Sequence, residues 1–289
     1  MRISYNMPAL TLNFLQNQAL KRQSGNLIRI SGGLKLNSAK DNPSGMVQSQ
    51  NIKLQIGGLQ TAARNVQDGV SMLQTAEGGL QEITSMIQRI RQLTLQAGNG
   101  TTTPSDRSVI QNEIDQLLDG ISSMADQTEF NGLKLLGQNE EDKVLSMQIG
   151  ANAGESADIP QLDLTNSEQS DISELYLIKS GNDEDKSKDV LDGNVDDALT
   201  AIDSTLNKVI SYRSKYGALE NKFESNYYNM QELTDRMIDA DSSLSDADIA
   251  EEIVGYSKES IIVQASNAMI AQANELPQDV LKILENTRK

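Results

Sequence analysis

The 289-residue chain has no cysteine, no histidine and no tryptophan, and aromatic residues make up only 3% of it. Without cysteine there can be no disulfide, no cysteine-ligated zinc and no thiol nucleophile. Without histidine the commonest general base and soft-metal ligand is missing, so a His-Glu-x-x-His metallopeptidase site is impossible. So few aromatics do not fill an ordinary globular core of this size. Leu, Ile, Val, Met and Ala must supply the apolar surface, as in helix bundles. No run of about 18 apolar residues occurs, and a membrane-spanning helix is not expected. Basic charge is also scarce: 25 Lys+Arg face 41 Asp+Glu, a net charge of −16. Nucleic acid and anionic membranes would repel such a chain, so neither is expected as a partner. The start, Met1-Arg2-Ile3-Ser4-Tyr5, lacks the apolar core of a cleaved secretory signal.

What is present is heptad periodicity. Ile52, Ile56, Leu59, Ala63, Val66, Val70 and Leu73 recur at alternating steps of four and three, the spacing of a helix lying along a partner helix. Glu77 interrupts this seam, and Leu80, Ile83, Ile87, Ile90 and Leu93 resume it on a shifted face. With no proline between Pro43 and Pro104, nothing forces a break. One helix of that extent would be roughly 75 Å long and could not bury its seam alone. Asp41-Asn42-Pro43 supplies a capping side chain and a first-turn proline. Gly57, Gly58, Gly69, Gly78 and Gly79 lie inside it; simple tolerance is one reading, and close approach of another backbone is the preferred one.

Four further stretches complete the pattern. Residues 3–36 carry Ile3, Met7, Leu10 and Phe14 at heptad steps and read as a helix ending near Ser31-Gly32-Gly33. Its burial falls short of its ordering cost, so it needs neighbours. Ile110, Ile114, Leu117, Ile121 and Met124 make a helix that doubles back, capped by Ser105 with Asp106 and closed by turn chemistry at Thr128-Glu129-Phe130-Asn131-Gly132. Leu145, Met147 and Ile149 alternate with polar residues as in a strand, with a return through Ile159, Leu162 and Leu164. Residues 165–194, rich in Asp, Asn, Ser, Gly and Lys, read as a surface insertion with little structure. From Val195 a long helix carries Leu199, Ile202, Leu206, Val209, Tyr216, Phe223, Tyr227, Met230 and Met237, interrupted by Arg213, Glu220 and Thr234. A last helix, to about Asn274, is apolar nearly all round at Ile261 to Ala271, which points to burial by other subunits. The expected segments are 1–43, 44–164, 165–192, 193–244 and 245–289.

No residue set supports catalysis. Glu140-Glu141 are adjacent and share no helix face. The acidic run Asp235, Asp239, Asp241, Asp246, Asp248, Glu251 and Glu252 lacks the glycine and ligand spacing of a calcium loop, so capping and a solvated face explain it better. No metal or cofactor is expected. Arg89 and Arg91 either pair with acids inside the bundle or face a partner.

Several stretches resemble one family. Gln67-Asp68-Gly69, Gln74-Thr75-Ala76-Glu77-Gly78, Arg89-Ile90-Arg91-Gln92-Leu93, Thr128 to Gly132, Gly150 to Glu155 and Gln264 to Asn274 are similar to bacterial flagellin, in its order, over roughly residues 1–165 and 190–284. The resemblance implies a mainly α fold: long antiparallel helical rods forming a coiled-coil-like bundle, a small β-hairpin region and paired terminal helices. It implies a subunit that self-assembles into the flagellar filament for motility, with 1–43 and 245–289 lining an inner tube through Leu10, Phe14, Ile262, Met269 and Ile270. It further implies an extracellular protein exported without a cleaved signal, an export chaperone on about 250–289, and filament cap and hook-junction proteins as partners. A surface at Arg89, Leu93 and Glu113 would face the innate flagellin receptor of animal hosts, with Gln92 where Glu is usual. Ser and Thr in 165–187 could carry O-glycans. A hook–filament junction protein shares the terminal architecture and is the alternative; an autonomous coiled-coil adaptor is a second, predicting terminal arms that are helical in the free monomer.

Overall fold

The terminal segments form the first of two compact units, residues 1–56 with 235–289; residues 57–234 form the second. The computed structural model describes residues 6–137, 144–166, 170–179 and 195–286. In the first unit, helix α1 (Met7–Gly32) starts where the Asn6 side chain accepts from the Ala9 N–H, with Pro8 in the first turn, and stops at Gly33 in the left-handed conformation (φ 67°). The expected stop at Gly32-Gly33 is therefore observed; Ile3 lies outside the described residues. Helix α2 (Pro43–Ala97) starts at the expected proline, with Asn42 Oδ1 accepting from the Gly45 N–H at 3.0 Å.

The last helix, α6 (Ile249–Asn286), runs past the stop expected near Asn274 and holds Pro277 in its interior. Proline has no N–H for the carbonyl four residues back, which is that of Ala273. Here Asn6 Nδ2 donates to that carbonyl at 2.9 Å. A side chain from the other terminus takes the bond that the proline cannot make, and this offsets part of the cost of continuing the helix.

In the second unit, α2 is tied to α3 (Pro104–Gln127) through Arg89 and Glu113 and to α5 (Val195–Ser245) through Arg91 and Asp203. From α2, Leu59, Val66, Leu73, Leu80, Ile83, Ile87, Ile90 and Leu93 are buried. From α5, Ile202, Val209, Tyr216, Phe223 and Met230 are buried at steps of seven. In α3 the buried face is Ile110, Ile114, Leu118, Ile121 and Ala125, with Leu117 and Met124 half-buried. The expected face has drifted by one position, as a 3.6-residue helix drifts from a strict heptad. The polar residues that interrupt the seams meet one another across the antiparallel pair: Arg213 lies 3.5 Å from Glu77, and Gln74 donates to Glu220 at 2.7 Å.

The five glycines singled out in the middle of α2 divide. A Cβ at Gly57 or Gly78 would meet nothing within 4 Å. At Gly58 it would lie 3.1 Å from the Ala151 side chain, at Gly69 2.3 Å from Met147 Cε, and at Gly79 2.8 Å from Thr128 Oγ1. Close approach thus holds at three positions, and at Gly69 and Gly79 side chains rather than backbone come close.

Two antiparallel hairpins sit beside these helices. Strands β1 (Glu129–Phe130) and β2 (Leu133–Lys134) are joined by Asn131 and Gly132, both at positive φ (53° and 80°), the turn that Asn-Gly favours. Strands β3 (Val144–Gln148) and β4 (Ser156–Pro160) pair with Leu145 opposite Ile159 and Met147 opposite Ala157.

The little local structure expected in 165–194 is found, but its described middle does not lie wholly at the surface. Helix α4 (Ser173–Tyr176) is short, yet Ile172, Leu175 and Ile178 are fully buried. Leu164 N–H donates to the Leu136 carbonyl, and Gln111 Nε2 to that of Ile178. Four buried residues within seven positions, Ile172, Leu175, Tyr176 and Ile178, decide this locally; composition averaged over a largely polar stretch of thirty residues concealed them. Thr165 and Ser170 are likewise buried and not open to glycans, and Ser167 and Ser180 to Ser187 lie outside the described residues.

Candidate functional site

Helices α1 and α6 run antiparallel, and what is buried between them is small or polar: Ala9, Ala19 and Ala273 lie among a set of polar contacts. Arg22 donates through Nε and Nη2 to the two carboxylate oxygens of Glu259, at 2.9 and 3.2 Å. Arg29 Nε donates to Glu252 Oε1 at 2.6 Å, and its Nη2 to Asn26 Oδ1 at 2.7 Å. Gln16 Nε2 donates to Asn267 Oδ1 at 2.6 Å, and Asn6 Nδ2 reaches Asn274 Oδ1 at 2.9 Å. Asn26, Glu259 and Ser266 are buried. At the closed end a backbone clasp joins the helices: Lys35 N–H donates to the Ser245 carbonyl at 2.7 Å and Ala247 N–H to that of Gly33 at 3.0 Å.

Many of the large apolar side chains point the other way. The buried residues of α1 are Ala9, Ala19 and Asn26 alone. Leu10 is 62% exposed, Phe14 65% and Met269 52%; Met7, Leu15, Leu27, Ile28, Val254 and Ile261 are exposed as well. Of the five residues expected to serve assembly, Ile262 and Ile270 are half-buried and the other three are exposed. Large clustered apolar exposure of this kind marks an interaction surface.

The expected receptor-facing residues lie in the second unit. Arg89 donates through Nε and Nη2 to Glu113 Oε1, at 3.1 and 2.8 Å, on the exposed faces of α2 and α3. Leu93 is only 2% exposed, so its side chain belongs to the core and offers no surface. Arg91 donates to Asp203 at 2.8 Å; both arginines thus pair within the bundle, and Arg89 also stands at the surface. Hydrogen bonding to Asp203 raises the Arg91 pKa.

The acidic run is distributed over separate tasks. Asp248 Oδ1 accepts from the Ala250 and Glu251 N–H groups at the start of α6. Asp241 accepts from the buried Ser49 hydroxyl at 2.5 Å and lies 3.5 Å from Lys53. Asp246 accepts from Ser242. Among the described residues no three such groups converge on a point that could hold a metal ion.

The terminal arrangement and the helical core can be set beside known proteins. A family model described as the bacterial flagellin N-terminal helical region matches residues 3–141, and one described as the C-terminal helical region matches residues 199–284. The flagellin of Bacillus subtilis (strain 168) is 39% identical over 305 residues, covering 98% of this chain and all of that one. The flagellar filament 30.7 kDa core protein of Treponema maltophilum is 33% identical over 98% of this chain and all of its own. A solved chain described as a flagellar hook-associated protein of Vibrio parahaemolyticus superposes with a TM-score of 0.56 over 71% of this chain and all of that one; at 17% identity it shares the fold alone. With full-length identity to flagellins on one side and likeness of fold alone on the other, the chain belongs to the bacterial flagellin family, the structural protein of the extracellular flagellar filament and not an enzyme.

Proposed function

We infer that this flagellin polymerises through its terminal pair, with Leu10, Phe14, Ile262, Met269 and Ile270 buried by neighbouring copies along the filament's inner tube. One observation carries this: a 26-residue helix whose buried residues are two alanines and one asparagine gains almost nothing from burial within its own chain. Each exposed Leu, Ile, Met or Phe that a neighbour covers contributes about 1.5–3 kcal/mol. The terminal arms therefore complete their folding on assembly. Segments 1–43 and 245–289 act as the inner-tube helices, 44–164 and 193–244 as the bundle, and 165–192 as the short variable segment.

The same exposed pair suits an export chaperone that covers α6 before assembly. In this reading the chain travels unfolded through the flagellar channel without loss of a signal and meets hook-junction and cap proteins at the filament ends. The exposed Arg89–Glu113 pair supports a contact surface for the innate flagellin receptor of animal hosts.

The test is seeded, salt-induced polymerisation of the full chain, watched by negative-stain electron microscopy beside a chain lacking residues 1–40. The full chain should give long tubes of uniform width and the shortened one none. Tubes from the shortened chain would refute the role of the arm. Terminal caps or rings from the full chain would favour a junction protein.

A further inference from the structure

We propose that Arg22–Glu259, Arg29–Glu252 and Asn26 against Gly255 form a polar key that selects the faces and register on which α1 meets α6, leaving the apolar faces of both helices free. Arg22, Asn26 and Arg29 are spaced four and three and share one face of α1; Glu252, Gly255 and Glu259, spaced three and four, share one face of α6. The pairs run in strict antiparallel order, with Asn26 beside Gly255 midway between the two ion pairs. A Cβ at Gly255 would lie 2.8 Å from Asn26 Nδ2, so the position admits the amide only because it has no side chain.

Two competing arrangements show what the key does. If burial of apolar surface alone governed the pair, Leu10, Phe14, Leu20 and Leu27 would turn inward against Val254, Ile261 and Met269. That pairing would bury more apolar area and consume the surface reserved for other copies. It is opposed because it gives up both ion pairs and the fit of Asn26 against Gly255, contacts in which the two carboxylates are largely buried. The second competitor is a slip of one heptad. In one direction Arg22 would face Ser266 and Asn26 would face Ile262, with only Arg29–Glu259 paired. In the other, Arg29 would face Ser245 and Asn26 would face Asp248, beyond the start of α6. Each slip keeps one of two ion pairs and moves the amide off the glycine. A buried polar contact that fixes register is the best-attested use of such groups. The backbone clasp at Leu34 and Asp246 holds one end of the pair; the key carries that setting outward along the helices, and Asn6 closes the far end on Ala273.

The key rests on the geometry of the terminal pair alone; what the freed faces are kept for rests on the filament reading. Because the native chain has no cysteine, introduced pairs report the setting cleanly. In the full chain, Gln16→Cys with Asn267→Cys reports the observed faces, and Leu20→Cys with Ile261→Cys reports the turned ones, each linked by a short bis-maleimide. Links within one chain separate from links between chains by size on a denaturing gel. The first pair should link within one chain and the second should not. Glu259→Arg should cut the first link at least tenfold, and the exchange Arg22→Glu with Glu259→Arg should restore it. An unchanged first link in Glu259→Arg overturns the key. So does failure of the exchange to restore it while circular dichroism shows the second unit folded, or absence of the first link from the unaltered background. Filament formation is scored separately on the same samples. Failure of the unaltered chain to polymerise would count against the filament reading and leave the cross-linking result standing.

Discussion

Gly78 and Gly79 are consecutive residues of one helix, and substitution to alanine should act on them with opposite sign. Both changes gain about 1 kcal/mol of helix propensity, because glycine surrenders more backbone freedom than alanine. At Gly78 the new methyl meets nothing within 4 Å, so the gain is kept whole. At Gly79 it would lie 2.8 Å from Thr128 Oγ1, 3.1 Å from Thr128 Cγ2 and 3.0 Å from Leu136 Cδ1. Thr128 cannot easily withdraw: its hydroxyl and its N–H both donate to the Met124 carbonyl, at 2.7 and 3.0 Å, and its own carbonyl accepts from Leu135. Forcing a methyl into such a site costs typically 1–3 kcal/mol. Gly79→Ala should therefore be neutral to about 2 kcal/mol destabilising, and the twins should differ by about 1–3 kcal/mol. Urea unfolding of the monomer followed by circular dichroism measures this. Gly78→Ala should move the midpoint upward by roughly 0.3–0.5 M, with an unchanged slope. Equal midpoints for the two variants would refute the contact at Gly79, and with it the packing of the β1–β2 turn region on α2.

The remaining expectations concern assembly, surface and ionisation. Phe14→Ala should raise the critical concentration for filament growth roughly 5–30-fold, since about 1–2 kcal/mol of burial by neighbours is lost, while monomer unfolding stays unchanged; an unaltered critical concentration in a pelleting assay would remove Phe14 from the contact. Leu93→Ala should destabilise the second unit by about 2–5 kcal/mol, whereas Arg89→Ala should cost under about 1 kcal/mol, so receptor-reporter assays should use the Arg89 variant. Thr103→Ala should cost about 1 kcal/mol in urea, because the Thr103 hydroxyl caps α3 by accepting from the Asp106 N–H at 3.2 Å. The Thr103 hydroxyl and then its N–H hold the Asp106 carboxyl below the ordinary 3.8; that stabilisation is present above pH 3.8 and is lost as the pH falls through the lower folded value, so the Thr103→Ala deficit should shrink in acid. Burial raises the pKa of Tyr176 and Tyr216 above the ordinary 10.0. Stability should hold below pH 10 and fall as the pH rises beyond it, with two of the seven tyrosines resisting ultraviolet titration until the chain unfolds.

The long helices were legible because their signal is summed over many turns. The heptads at Leu59 to Leu93 and at Ile202 to Met230 each average out single irregularities. Short signals were lost where a strong local context contradicted the surroundings. Ile172, Leu175 and Ile178 sit in a stretch whose composition is that of a loop, and Pro277 reads as a helix stop unless a donor for the Ala273 carbonyl is known. That donor, Asn6, lies 267 residues away, beyond the reach of any local rule. For the candidate site, the apolar coverage of Ile261 to Ala271 points to burial by other copies, whereas Leu10 and Phe14 enter the assembly set through the family resemblance and read in sequence only as part of a heptad seam. The polar contact between α1 and α6 did not follow. Arg22, Arg29, Glu252 and Glu259 look in sequence like the solvated faces of two amphipathic helices, and only the pairing of distant segments turns them inward.

The two units solve opposite problems. The second must be stable before assembly, so its core follows the usual order, with Leu80, Ile83, Ile87, Ile114, Ile121 and Phe223 fully buried and its charges outside. The first must not satisfy itself before assembly. A terminal pair with leucines between its helices would be more stable alone and would have less to gain from neighbours. Putting Asn26, Glu259 and Ser266 between the helices, with only Ala9 and Ala19 buried beside them on α1, keeps the isolated pair weak. It also makes burial by other copies the larger source of free energy. Replacing Arg22 and Glu259 together by leucine should thus increase protection of α1 amides against hydrogen exchange in the monomer and reduce the gain on polymerisation. If the leucine pair left monomer protection unchanged, the weakness of the isolated arms would have to come from helix propensity instead, and the polar contact would be specific without being destabilising.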